Sequence, residues 1–336
     1  MIFLDFYGFH VSVRSDSNDV IADVQRDFSY FRSAPGGASA DLEVITREPL
    51  SLGLPAVKAT LQTPRNTVYR DGDVSYVDYS GRALMICRDG GRTHRVYCQD
   101  RDLAHEIAFL TILSRVGQHL DSLGLHRVHA LGLEVGGRAI LVLLPMAGGK
   151  TTLALRLLGI DEVKLLSEDS PLISRSGKVY PFPLRIGVRV GEEPADVPAR
   201  LCRTVRRMEF CPKTLIDIEH FGEKIGDTSP IGSILLGERW LAGTPFIRPA
   251  SRRAALKTFL KDCVIGLGLY QGMEFLLERS SLEILGKTGL ALSRLRNSLA
   301  VITQARVCRF GIGPDKDENA RVLIEYLRGL PSDGSS

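Results

Sequence analysis

Gly148, Gly149, Lys150 and Thr151 stand together near the middle of the chain, between an apolar run and a helical pattern. The run Arg138-Ala139-Ile140-Leu141-Val142-Leu143-Leu144 has strand length and is entered from a turn at Gly136-Gly137, while Leu153 to Leu158 has helical spacing that stops at Gly159. Strand, glycine loop and helix in that order predict a phosphate-binding unit. Backbone N–H groups of such a loop and of the first helical turn surround a phosphate chain, and glycines let them approach it closely. Lys150 would then reach the outer phosphates and Thr151 would bind magnesium, with Ala147, Gly148, Gly149 and Thr152 completing the cradle. The full pattern G-x-x-x-x-G-K-[ST] asks for glycine at position 144, where this chain has Leu144; Ala147 stands where a further glycine is common. Part of the loop is therefore less permissive.

A second signal follows within twenty residues of Lys150. Val163-Lys164-Leu165-Leu166 predicts a short buried strand that ends in Ser167-Glu168-Asp169-Ser170. Ligands of open α/β sheets gather beyond the carboxyl ends of strands, so this acidic pair can face a nucleotide and its metal. It could orient magnesium or accept a proton from an attacking hydroxyl; spacing leaves open which carboxylate does which. Arg200, Arg203, Arg206 and Arg207, at offsets 0, 3, 6 and 7, predict one face of a helix, either a plain basic surface or one that steers an acidic substrate. Arg185 is a substrate contact candidate, because the preceding Pro181-Phe182-Pro183-Leu184 fixes a rigid segment. Arg239, Arg252 and Arg253 are further cations with no spacing that selects among them. The Thr214 to Ser229 stretch, with Gly222, Gly226 and many charges, predicts a lid or an inert connector.

The chain that must position these groups has 336 residues, enough for roughly two cores. Its 43 basic and 39 acidic residues give a net charge of only +4, which excludes a strong nucleic-acid footprint. At 44% hydrophobic and 24% charged it has the composition of a folded globular protein. No apolar run reaches the ~20 residues of a membrane-spanning helix, and MIFLDFYGF does not have the build of a signal peptide. Six dispersed cysteines suit neither a zinc framework nor a disulfide scaffold, so a cytoplasmic location is expected.

The first ~125 residues read as strand-rich. Short strands are expected at 3–7, 10–13, 40–46, 67–69, 74–77, 83–86 and 95–97, separated by tight turns such as Asp71-Gly72 and Ser80-Gly81. Helical spacing appears over 20–31 and again from Asp102 to Leu123, which Gly124 stops. Through Leu125 acidic residues outnumber basic ones by three; beyond it basic residues lead by seven, so an anionic ligand belongs to the second part. The expected organisation is a smaller strand-rich α+β domain over 1–124, an α/β nucleotide-binding domain over 125–330 and a polar tail over 331–336.

An ordered set of segments resembles the catalytic domain of HPr kinase/phosphorylase and its HPr kinase-like relatives. It comprises Val128-His129-Ala130, Gly132-Leu133-Glu134-Val135-Gly136-Gly137, the Arg138 to Leu144 strand, the phosphate loop, and Lys164-Leu165-Leu166-Ser167-Glu168-Asp169. Weaker similarity extends to 181–184 and to Arg309-Phe310-Gly311-Ile312-Gly313-Pro314. The resemblance implies a P-loop kinase domain of the HPr kinase type, with His129 on the family's active-site histidine and Glu168 and Asp169 on its acidic pair. By residue type alone His129 is equally a packed strand histidine. In the family the first acid is commonly aspartate; here it is Glu168, one methylene longer.

The expected activity is therefore an ATP- and magnesium-dependent phosphotransferase that moves the γ-phosphoryl group to a serine-like hydroxyl on a peptide, protein or small molecule. Thr151 and Glu168 would hold the metal. Neither nucleic acid nor membrane is an expected partner, and the family's frequent oligomerisation extends to this chain by resemblance. The alternative is a catalytically weak nucleotide-binding regulatory or scaffold protein, or an ATPase switch, with Leu144 and Ala147 as the signs of lost transfer.

Overall fold

The computed structural model describes residues 1–49, 54–144, 148–194, 196–206, 211–265 and 283–330. It is a mixed α/β protein whose internal contacts separate two compact units. The first unit comprises residues 1–119 with 187–220, and the second 120–186 with 221–265 and 283–330. The 187–220 stretch, which the sequence reading draws into the C-terminal domain, thus packs with the N-terminal residues.

In chain order the first part contains β1 (Ile2–Phe6), β2 (Phe9–Ser15), α1 (Asn18–Asp27), β3 (Ala40–Ile45), β4 (Ala59–Gln62), β5 (Thr67–Asp71), β6 (Val74–Asp78), β7 (Ala83–Arg88), β8 (Thr93–Cys98) and α2 (Arg101–Ser122). The eight strands form one sheet in the order β1-β2-β3-β8-β7-β6-β5-β4. Only the β2–β3 and β3–β8 pairs are parallel, because α1 and the long excursion through β4 to β7 supply the crossovers that parallel pairing needs. The helical spacing of 20–31 resolves into α1 and a separate 3-10 turn, Ser29–Phe31. Ser17 caps α1 by accepting the Val20 N–H, and Phe28 packs edge-on against Phe6 and stacks on Phe109 of α2.

The chain continues through β9 (His126–Arg127), β10 (Leu131–Val135), β11 (Arg138–Leu143), α3 (Lys150–Leu158), β12 (Val163–Ser167), β13 (Leu172–Ile173), β14 (Lys178–Tyr180), β15 (Ile186–Arg189), β16 (Cys202–Val205), β17 (Lys213–Ile216), β18 (Ser229–Arg239), β19 (Phe246–Pro249), α4 (Arg252–Phe259), α5 (Glu283–Gln304), β20 (Arg306–Ile312) and α6 (Lys316–Arg328). β15, β17 and β16 make a small sheet of their own. The second unit is built on a mixed sheet in which β11 lies between antiparallel β10 and parallel β18, and β18 is followed by parallel β20. β12 closes one side against β10, and β19 pairs antiparallel with β20. β11 is buried from Ala139 to its end, which is why its sequence is continuously apolar and not alternating. Leu141, Leu143, Ile234 and Leu236 join Phe259, Val301 and Ile302 in one core, so helices α4 and α5 cover this face of the sheet.

The four arginines at 200–207 do not share a helix. Arg200 lies in a 3-10 turn, Arg203 sits on β16, and Arg207 falls outside the described residues. The spacing was compatible with a helix, but strand pairing of β16 with β17 satisfies this backbone. Nor is 214–229 a free lid along its described length. It contains part of β17, a 3-10 stretch Ile218–Lys224 and the start of β18, and Gly226 N–H donates to the Leu165 carbonyl. Residues 331–336, expected as a polar tail, lie outside the described residues.

Candidate functional site

β11 delivers the chain to the loop and α3 takes it away. Leu144, in the place of the expected glycine, is buried, and its side chain lies directly over Gly237 of β18: a Cβ at 237 would collide with Leu144 Cδ2. The extra bulk at 144 is thus accommodated by a missing side chain on the neighbouring strand. Ala147 of the predicted cradle lies outside the described residues, together with Pro145 and Met146. Gly149 is the N-cap of α3 and adopts φ 89°, a left-handed conformation that glycine enters without steric cost. Its carbonyl accepts the Leu153 N–H at 2.9 Å. No side chain caps α3 and no acid stands in its first turn, so the N–H groups of Lys150, Thr151 and Thr152 present the positive end of a helix.

Lys150 is 8% exposed. Its Nζ lies 2.6 Å from His129 Nε2 and 3.3 Å from Asp169 Oδ1, and His129 Nδ1 lies 3.2 Å from that same oxygen. Because an ammonium can only donate, Nε2 is the acceptor, and a neutral imidazole then carries its proton on Nδ1, beside the Asp169 carboxylate. The backbone brings these groups together from separate segments. His129 sits on a bend between β9 and β10, not within a strand; its N–H donates to the Asp262 carbonyl, and the Ala130 N–H donates to the Asp169 carbonyl. Asp169 itself follows the end of β12.

Burial alone would raise the Asp169 carboxyl, but the His129 ring and the Lys150 charge outweigh it and hold the group below the ordinary aspartate value. Asp169 is therefore an anion near neutrality. Its side chain keeps 47% exposure, so the pair is accessible from outside. Glu168 does something different: the Thr151 hydroxyl donates to its Oε1 at 2.5 Å. The two adjacent acids thus part, Glu168 to the helix threonine and Asp169 to the lysine–histidine pair.

Thr151 and Glu168 supply the hydroxyl and carboxylate that suit a magnesium ion held largely by phosphate oxygens and water. Among the described residues no group of three or more His, Cys, Asp or Glu forms a larger metal-ligand cluster. Arg185 is half-buried in the extended segment before β15; the Phe182 N–H of that segment donates to the Leu166 carbonyl, which runs it alongside the end of β12. Arg252 is used otherwise, donating to the Thr303 carbonyl at the start of α4.

Sequence reasoning missed Asp262. It lies in a π-helical stretch, Leu260–Ile265, that continues from α4, and π turns recur at functional sites. Burial raises its carboxyl above the ordinary value, while the nearby Lys261 and Lys150 charges pull the other way. It is thus a third carboxylate within the electrostatic reach of the site. No motif marks it, since its relation to His129 is made by the tertiary fold alone.

No protein-family model matches the chain, and no curated protein matches it with significance. Among the described residues no helix is long and apolar enough to cross a membrane.

Proposed function

We propose that this chain is an ATP- and magnesium-dependent kinase of the HPr kinase-like type, built on a P-loop domain in its second unit. The observation that carries the reading is the convergence of Lys150, His129 and Asp169 within 3.3 Å, at the start of a helix whose first-turn N–H groups no side chain caps. Of the three Lys150 donors, His129 and Asp169 take two and leave one for a phosphate oxygen. The first turn of α3 receives the phosphate chain. Thr151 and Glu168 would hold magnesium, which when bound neutralises the charge of the phosphates. Asp169 accepts a hydrogen bond from the acceptor hydroxyl and aims its oxygen at the γ-phosphorus.

Transfer breaks the bond from the γ-phosphorus to the β,γ-bridging oxygen, forms a bond to the acceptor oxygen, and leaves the acceptor's proton on Asp169. A carboxylate held this acidic is a weak base. Phosphoryl transfer tolerates that, because its transition state depends more on alignment and charge neutralisation than on early proton removal. The acceptor is a serine-like hydroxyl of a peptide, protein or small molecule, and the first unit, which has no phosphate motif, is assigned its selection.

Calorimetry with ATP and magnesium, joined to a γ-labelled transfer assay, tests the reading. Lys150→Ala should lose nucleotide affinity by 100-fold or more, about 2.7 kcal/mol, and Asp169→Asn should bind ATP yet lose transfer. Binding with no labelled acceptor would move the assignment to a nucleotide-binding regulator. Turnover without a labelled acceptor would indicate an ATPase switch, and no binding at all would overturn the phosphate loop.

A further inference from the structure

The single tryptophan of the chain is not in a core. Trp240 follows the last residue of β18 and is 51% exposed, and the next residue, Leu241, is 99% exposed. This is not a loose tip. The Trp240 N–H donates to the Ile312 carbonyl at the end of β20, the indole meets the Phe246 ring edge-on at 5.7 Å, and the Arg248 guanidinium lies over that ring, 4.6 Å from its centroid. Phe246 is itself seated on Gly311 of β20, where any side chain would collide with its ring. The turn is held on two neighbouring strands and still presents its aromatic face outward.

Its position gives that face a purpose. β11, β18 and β20 are parallel neighbours, so their carboxyl ends share one edge of the sheet, the edge at which open α/β sheets bind ligands. The phosphate loop leaves from β11, whose Leu143 pairs with Leu236 of β18. Trp240 comes four residues later, about 13 Å further along at roughly 3.3 Å per residue. The ribose and phosphates of a nucleoside triphosphate span a comparable length. The side of α3 is also tied to the chain leaving β20, since Arg156 of α3 pairs with Asp317 of α6 at 2.7 Å. An aromatic plane fixed at this edge suits a flat base, which stacks on tryptophan with little demand for hydrogen-bond partners.

The geometry points to Trp240 as the stacking platform for the purine base of the nucleotide whose phosphates occupy the Gly148–Thr151 loop. This inference rests on the phosphate-loop reading and adds to it the site of the base. Because Trp240 is the only tryptophan, its emission reports directly on occupancy. The full chain is titrated in magnesium buffer with ADP and, separately, with inorganic tripolyphosphate, by fluorescence and by calorimetry. ADP should change the Trp240 emission saturably, whereas tripolyphosphate should bind with little change. Trp240→Ala should weaken ADP about tenfold with tripolyphosphate affinity unchanged, and Trp240→Phe should restore most of the loss. Wild-type ADP affinity in Trp240→Ala overturns the platform and leaves the phosphate loop standing, as does an equal loss for both ligands. If neither ligand binds the wild-type chain, the phosphate-loop reading fails and takes the platform with it.

Discussion

Arg203 and Lys150 are both buried cations paired with carboxylate, one in each unit, and their surroundings are built differently. Arg203 contacts Asp23 at 3.3 Å, Asp217 at 2.6 Å and Asp27 in a close ion pair. Each of those acids has a second partner: Arg101 for Asp23, Arg26 for Asp217 and His105 for Asp27. Three carboxylates therefore meet three guanidiniums, and Asp27 is wholly buried. This set is closed on itself; it fastens β16 and the end of β17 to α1 and α2 within the first unit. The Lys150 set ends instead at a half-exposed Asp169 and an uncapped helix start. Buried charge thus has two uses here, and the discriminating feature is whether anything is left over for a ligand.

The largest expected effect breaks the closed set. Arg203→Met should destabilise the protein by about 3–5 kcal/mol, because it strands buried carboxylates. Lys150→Met should cost about 1 kcal/mol or less, since water reaches Asp169. Urea unfolding of both variants measures the contrast; equal losses would mean that the Lys150 cluster is as structural as the other. Gly237→Ala comes next, at about 1–3 kcal/mol, because its methyl group would displace the buried Leu144 side chain. A thermal melt that does not move would show that Leu144 has room elsewhere.

The smallest effect is in pH. The Asp169 carboxyl in the folded protein is lowered from its model-peptide value of 3.8, so its stabilisation is fully present above that value and is lost as pH falls through the folded one. Asp169→Asn should therefore lower the melting temperature near neutrality, where the charge contributes in full, and flatten its dependence on pH below about pH 4, where the variant approaches wild type. An unaltered acid limb would dissociate the carboxylate from its two partners.

The strand before Lys150 and the helix that begins at it were legible because each rests on a local period: continuous apolar residues for a central strand, helical spacing after the glycines. The acidic pair was legible for the same reason, as the end of a short apolar strand. What local spacing left open was the division of labour between Glu168 and Asp169, which depends on what each meets across the fold. The Arg200 to Arg207 spacing misled because offsets of three and four suit a helix whether or not the backbone is taken up by a neighbouring strand. Arg203 proved to belong to a cluster in which Asp217 is 14 residues away but Asp23 and Asp27 lie 180 and 176 residues away in sequence.

By itself the sequence determined the mixed α/β class, the turns of the N-terminal sheet, and the strand and helix that flank Gly148-Gly149, since all of these follow from backbone preferences and apolar patterning over a few residues. Only the tertiary structure decided that Leu144 rests on Gly237, that His129 and Asp169 share Lys150, that Asp262 stands within their field, and that Trp240 faces outward at the same sheet edge. Those relations join segments far apart in the chain, where the energy of contact, burial and charge is set by which surfaces meet, and no local pattern records that choice.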